Sequence, residues 1–128
     1  MFGSDHKVKT LKDVPFLRTC SSEDIRTLAR SGDLTYVREG DLLTAEGSSR
    51  PSFFILLDGR AQAADGTELV AGDVHGADDV LAGRNVSVDV QMTSDGRVIV
   101  FGPREFASVM RRAPGFAFAV ARRLAEAG

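Results

Sequence analysis

The segments R-E-G-D-L-L-T-A-E-G (38–47), F-F-I-L-L-D-G (53–59) and V-A-G-D-V-H-G (70–76) set the rhythm of this chain. Gly40, Gly47, Gly59, Gly66, Gly72 and Gly76 break it every few residues, and short apolar runs fill the intervals. Short strands joined by turns that need positive φ produce this pattern, and small antiparallel barrels or sandwiches are built from such strands. The last of these glycines opens G-A-D-D-V-L-A-G-R (76–84), a segment whose make-up suits a phosphate-holding turn. Function therefore depends on what that segment has kept.

Working outward, Phe53–Leu57 reads as the central core strand, bounded by Pro51 and the Asp58-Gly59 turn. Asp65-Gly66 predicts a hairpin between 60–64 and 67–70. Leu34–Val37 and Asp41–Ala45 carry strand character, Val86-Ser-Val-Asp-Val90 alternates, and Val98–Phe101 follows a second Asp-Gly turn. About eight strands are expected over residues 33–101. Before them, L-K-D-V-P-F-L (11–17) reads as a helical turn stopped near Pro15. A helix capped by Ser21 or Ser22 follows, with Asp24 three residues after Ser21 as an approximate capping box and Gly32 as its end. After the strands, Pro103 starts a helix with a Phe106, Val109, Met110 stripe. Pro114-Gly115 interrupts, and Phe116, Val120 and Leu124 mark a last amphipathic helix. The order is helix, barrel, helix, with residues 1–10 a flexible N-terminus and 11–128 one domain.

The chain's 128 residues are enough to bury a core without staples. A net charge of −2 gives no reason to expect nucleic-acid binding. The basic pairs Arg111–Arg112 and Arg122–Arg123 are expected on a solvated helix face. Cys20 is the single cysteine, so no internal disulfide forms, and nothing around it points to a catalytic thiol. No apolar run is long enough for a membrane span, and the start lacks a signal-peptide core, so a cytoplasmic location is expected.

Read in order, these pieces resemble the cyclic nucleotide-binding domain family. L-K-D-V-P-F-L and S-S-E-D-I-R-T-L-A (21–29) are similar to its opening helices, E-G-D-L-L-T-A-E-G to its first hairpin, and F-F-I-L-L-D-G to its third strand. L-V-A-G-D-V-H-G (69–76) is similar to the approach to its phosphate cassette, and P-R-E-F-A-S-V-M (103–110) to the helix that follows. The resemblance covers roughly residues 11–127. It implies a mainly β fold with flanking helices: an eight-stranded antiparallel jelly-roll barrel, or double-stranded β-helix.

The resemblance also implies a ligand site. The family's cassette reads G-E-x-x-L-L, a short loop, then R-x-A-[TS]-V. Gly76 stands at its first position, Val80-Leu81 supply the apolar pair, and Arg84-Asn85-Val-Ser87-Val resembles the Arg-led strand. On this match Arg84 partners the phosphate, Ser87 lies near the base, and the cassette amides of Ala77 and Asp78 face the anion. An alternative match keeps the family's loop length and puts Val86 at the Arg position. The family's Glu is replaced by Ala77, which removes the acceptor for the ribose 2′-hydroxyl. Asp78 and Asp79 bring negative charge to the turn where a phosphate would sit, unless one of them reaches the ribose instead.

Two functions compete. One is a non-catalytic regulatory module acting on a partner protein in trans or through a homodimer of the last helix, with nucleotide binding weakened or lost. The other is a working sensor with cAMP or cGMP as ligand, held by Arg84 and the cassette amides. No resident cofactor or metal is expected. A cupin-type metal enzyme is the remote alternative, and it needs clustered ligands that His6 and His75 alone do not supply. His75 is expected to pack beside the pocket. The chain ends soon after the last helix without a DNA-binding segment, which points to a signal passed to another chain.

Overall fold

A computed structural model describes residues 2–127, and element bounds below refer to it. Helix α1 (Phe2–Lys12) leads through a 3-10 turn at Pro15–Leu17 into α2 (Ser22–Ser31). Eight strands follow: β1 (Asp33–Val37), β2 (Leu42–Thr44), β3 (Phe53–Asp58), β4 (Arg60–Ala63), β5 (Glu68–Val70), β6 (Val74–His75), β7 (Val90–Met92) and β8 (Gly96–Phe101). Helix α3 (Ala77–Ala82) interrupts them between β6 and β7, and α4 (Pro103–Arg112) and α5 (Pro114–Ala127) close the chain.

The strands form two antiparallel four-stranded sheets, ordered β1-β8-β3-β6 and β2-β7-β4-β5. The expected closed barrel is thus replaced by two facing sheets of jelly-roll type. The edge strands β1 and β6 of one sheet make no ladder with the edge strands β2 and β5 of the other, so the sheets stay separate. Asp65-Gly66 makes the predicted hairpin, with Arg60 to Gln62 facing Val70 to Glu68. The expected strand at 86–90 is shifted. Regular pairing begins only at Val90, because the preceding backbone is engaged by the 44–48 loop. The Val86 N–H donates to the Ser48 carbonyl, and the Val86 carbonyl accepts from the Gly47 N–H.

β3 is apolar on both faces and so serves two cores. Phe53, Ile55 and Leu57 point toward the helices, where they meet Leu11, Leu17, Leu28, Phe106, Phe116 and Val120. Phe54 and Leu56 point between the sheets, against Val37, Ala61, Leu69, Val90, Met92 and Val98. β8 repeats this pattern, sending Ile99 and Phe101 to the helices and Val98 to the sandwich. Phe53 is fully buried, and its ring centroid lies 5.2 Å from Phe106, 5.6 Å from Phe116, 6.0 Å from Phe101 and 6.2 Å from Phe16. Three of these pairs are tilted and the one with Phe116 is edge-on, at the spacing aromatic pairs prefer.

Ser21 and Asp24 form the capping box read from sequence: the Asp24 N–H donates to Ser21 Oγ and the Ser21 N–H to Asp24 Oδ2, each at 3.0 Å. Asp24 does more than cap. Its Oδ2 also accepts from the Gly115 N–H at 3.0 Å, so one buried carboxylate joins the start of α2 to the start of α5. Helix α1 occupies most of the 1–10 stretch read as flexible, and residue 1 lies outside the described residues. It is anchored by buried Leu11 and by Lys7, whose Nζ donates to the Gly32 carbonyl at 2.9 Å. The Arg111–Arg112 and Arg122–Arg123 pairs are solvated, as expected.

Candidate functional site

The cassette region is built on Gly76. Its φ of +105° is a left-handed conformation that L side chains rarely adopt, and it turns the chain out of β6 into α3. The sequence reading gives this glycine to ligand approach. In the structure its open side is instead taken by the Ser52 carbonyl, just before β3. Helix α3 then runs for six residues and stops at Gly83, whose φ of +66° folds the chain back along the helix. Val80 packs toward the helical core, whereas Leu81 is about half exposed. The apolar pair therefore splits.

The fold-back brings Arg84 and Ser87 to Asp79. Arg84 Nε donates to Asp79 Oδ1 at 2.7 Å. Ser87 donates twice to Asp79 Oδ2, from its N–H and from its Oγ, both at 3.0 Å. Asp79 is 3% exposed, while Arg84 remains half exposed beyond it. Asp78 completes the group: its Oδ1 accepts the Asp79 N–H at 2.9 Å, and its Oδ2 lies 3.4 Å from Arg84 Nη2. Ala77 is buried at the first turn and offers no polar side chain. Asn85 is exposed on the loop outside this group. Arg84 thus faces the carboxylates of Asp78 and Asp79.

The electrostatics follow from this geometry. Burial alone would raise the Asp79 carboxyl, but hydrogen bonds from Arg84 and Ser87 outweigh it and hold the group below the usual carboxylate range. The hydrogen bond to Asp79 in turn pushes Arg84 further up. The positive charge expected to await a ligand is already met inside the chain.

No protein-family model matches the chain, and no curated protein matches it. Solved structures do. A regulatory subunit of a cAMP-independent protein kinase A from Trypanosoma cruzi, bound to guanosine, is 22% identical with a TM-score of 0.82. That match covers 98% of this chain and 47% of the other. The regulatory domain of Toxoplasma gondii PKA with cAMP is 16% identical with a TM-score of 0.83, covering 98% and 51%. The sensor domain of the transcriptional regulator DNR from Pseudomonas aeruginosa is 15% identical with a TM-score of 0.75, covering 98% and 91%. This chain has the cyclic nucleotide-binding domain fold. It spans about half the length of the two kinase regulatory chains.

Gly76 opens α3, and Arg84 follows it by way of the Gly83 fold-back. Of the two sequence matches, Arg84 reaches the α3 carboxylates and Val86 is buried. Asp79 is the residue whose role sequence reading missed. Its partners lie five and eight positions away, outside any helical repeat, and only the Gly83 fold-back joins them. A glycine closing a six-residue helix just before Arg84 was the available signal. The principal clefts among the described residues do not include Arg84 or Ser87. One of about 170 Å³ lies behind the cassette, between His75, Asp78 and the α5 residues Arg123 and Leu124.

His75 packs its ring on Phe54, with centroids 5.5 Å apart. Burial holds its pKa below the ordinary 6.5, although Asp78, Asp79 and Asp65 pull upward and Arg123 pushes down with the burial. The unfolded chain therefore takes up this proton at higher pH than the folded one, so stability falls as pH drops below about 6.5 toward the folded value. We expect His75→Phe, which keeps a ring on Phe54, to lose less stability than wild type between about pH 7 and about pH 5. Urea midpoints at the two pH values check this; equal losses in both proteins would refute it.

Cys20, half-buried between the 3-10 turn and α2, is pushed up to about 12 by burial and by Asp24. A thiol so protonated is a poor nucleophile. Among the described residues, no three His, Cys, Asp or Glu side chains gather as a metal-ligand set, which is what a cupin-type reading requires. No helix among them is long and apolar enough to cross a membrane.

Proposed function

We propose that this chain is a non-catalytic regulatory module that acts through a protein partner or a second copy, and that its ability to bind a cyclic nucleotide phosphate has been lost. One observation carries the reading: the Arg84 guanidinium and both Ser87 donors are engaged by Asp79. An incoming phosphate would have to displace a buried carboxylate and then sit beside it, and like charges that close repel strongly. Ala77 adds to this, since a ribose hydroxyl buried without its acceptor loses about 1–3 kcal/mol. α5 buries Phe116, Ala119 and Val120 against its own domain while Phe118 stays over half exposed, so an apolar side chain remains for a partner or a second copy. A cytoplasmic location belongs to the same reading.

A filled phosphate end also favours a ligand without a phosphate as the second reading. The similar regulatory subunit, from a cAMP-independent protein kinase A of T. cruzi, is bound to guanosine, which has none.

Titration calorimetry of the full chain with cAMP, cGMP and guanosine tests both readings. We expect no heat from either cyclic nucleotide at millimolar concentration, in wild type or in Arg84→Ala. Micromolar cAMP binding that Arg84→Ala abolishes would make this chain a nucleotide sensor after all. Heat from guanosine alone would establish the second reading.

A further inference from the structure

Asp79 sits at the third position of α3, after Gly76 as N-cap, where an acidic side chain ordinarily reaches back to the first amides of the helix. It does not do so here. The Asp79 carboxylate is aimed the other way, down the chain, and takes three donors from two residues: Arg84 Nε on one oxygen, the Ser87 N–H and Oγ on the other. A guanidinium, a backbone amide and a hydroxyl converging on two oxygens is the donor set that recognises a phosphate or sulfate. These donors hold the carboxylate ionised despite its burial, as an anion-binding site holds its ligand. The arrangement makes sense as a site whose anion is covalently part of the chain.

We propose that Asp79 is an internal anion that permanently occupies an oxyanion site formed by Arg84 and Ser87, and that its removal exposes this site to a small external oxyanion such as inorganic phosphate. The proposal rests on the reading of a lost nucleotide function given above. It adds that the donors themselves are intact. It also gives the cassette a default state: the 83–88 segment is docked on α3 with no external ligand bound. In a domain built to respond to a ligand, that contact holds the response at one setting.

The test is gain of binding. Wild type, Asp79→Ala and Asp79→Asn are titrated with inorganic phosphate at constant ionic strength, with chloride as the control anion and cAMP as a second probe. Binding is read by calorimetry and by amide shifts of residues 83–88. We expect both variants to bind phosphate at least about tenfold more tightly than wild type, given what a charge-assisted hydrogen bond contributes. We also expect Asp79→Ala combined with Arg84→Ala to lose that gain. Asn is nearly isosteric with Asp, so it covers the case in which Asp79→Ala folds poorly. No gain in either variant, or a gain that survives Arg84→Ala, overturns the proposal. A gain for cAMP exceeding that for phosphate would show that the nucleoside end of the site is also intact, and supports it. The two readings fail separately: cAMP binding by wild type through Arg84 refutes the proposed function, whereas silence of the Asp79 variants beside a silent wild type refutes only the internal anion.

Discussion

Gly76→Ala is expected to destabilise the domain by about 2–5 kcal/mol, from a left-handed backbone that alanine pays about 1–2 kcal/mol to adopt and an overpacking cost of about 1–3 kcal/mol. Both causes are local. The φ of +105° is imposed by the turn from β6 into α3, and an added methyl would run into the Ser52 carbonyl, which is main chain and has no rotamer to yield. For a domain of this size, such a loss lowers Tm by roughly 10 °C or more. Gly66→Ala is the control. Gly66 has a similar φ of +96° but nothing within 4 Å of the added methyl, so it reports the backbone cost alone. Thermal unfolding followed by circular dichroism should place Gly66→Ala between wild type and Gly76→Ala. If the two variants melt together, the Ser52 contact is not what the glycine is for.

Phe53→Ala has the other large expected effect, about 3–5 kcal/mol, as for other buried aromatic side chains cut back to a methyl. The site cannot collapse easily. Phe53 is ringed by Phe16, Phe101, Phe106 and Phe116, contributed by the 3-10 turn, β8, α4 and α5, so relaxation would have to move four elements at once. Urea unfolding measures the loss. Because Phe53 and Phe116 touch, the double variant Phe53→Ala/Phe116→Ala should cost less than the sum of the singles. A loss below about 1 kcal/mol for Phe53→Ala would mean that the cluster is not a packed unit.

Much of this fold was legible in the residues because its turns are written in glycine. Gly59, Gly66, Gly72 and Gly76 all have positive φ, and each lies at a boundary between elements. The Ser21–Asp24 box and Pro103 placed helix starts correctly for the same reason: each satisfies or removes a specific orphan amide. Sheet closure was less legible, since strand length depends on which loops compete for the backbone. At 86–90 the alternation was right, with Val86 and Val90 buried, but the ladder was not, because Ser48 and Gly47 hold Val86. The site was the least legible part. Sequence could say that Asp78 and Asp79 bring charge into the cassette. It could not say that one of those charges turns inward to meet Arg84, since that depends on a single backbone reversal at Gly83.

The two-faced burial of β3 bears on how such a domain can drift in sequence. Phe53, Ile55 and Leu57 belong to the helical layer, and Phe54 and Leu56 to the sandwich. A lineage can rebuild its cassette loop or recolour its surface one residue at a time. In this strand, however, neighbouring positions answer to different cores, so a shift of the backbone that relieves one core disturbs the other. A strand with both faces buried thus ties the helical layer and the sandwich to one backbone position.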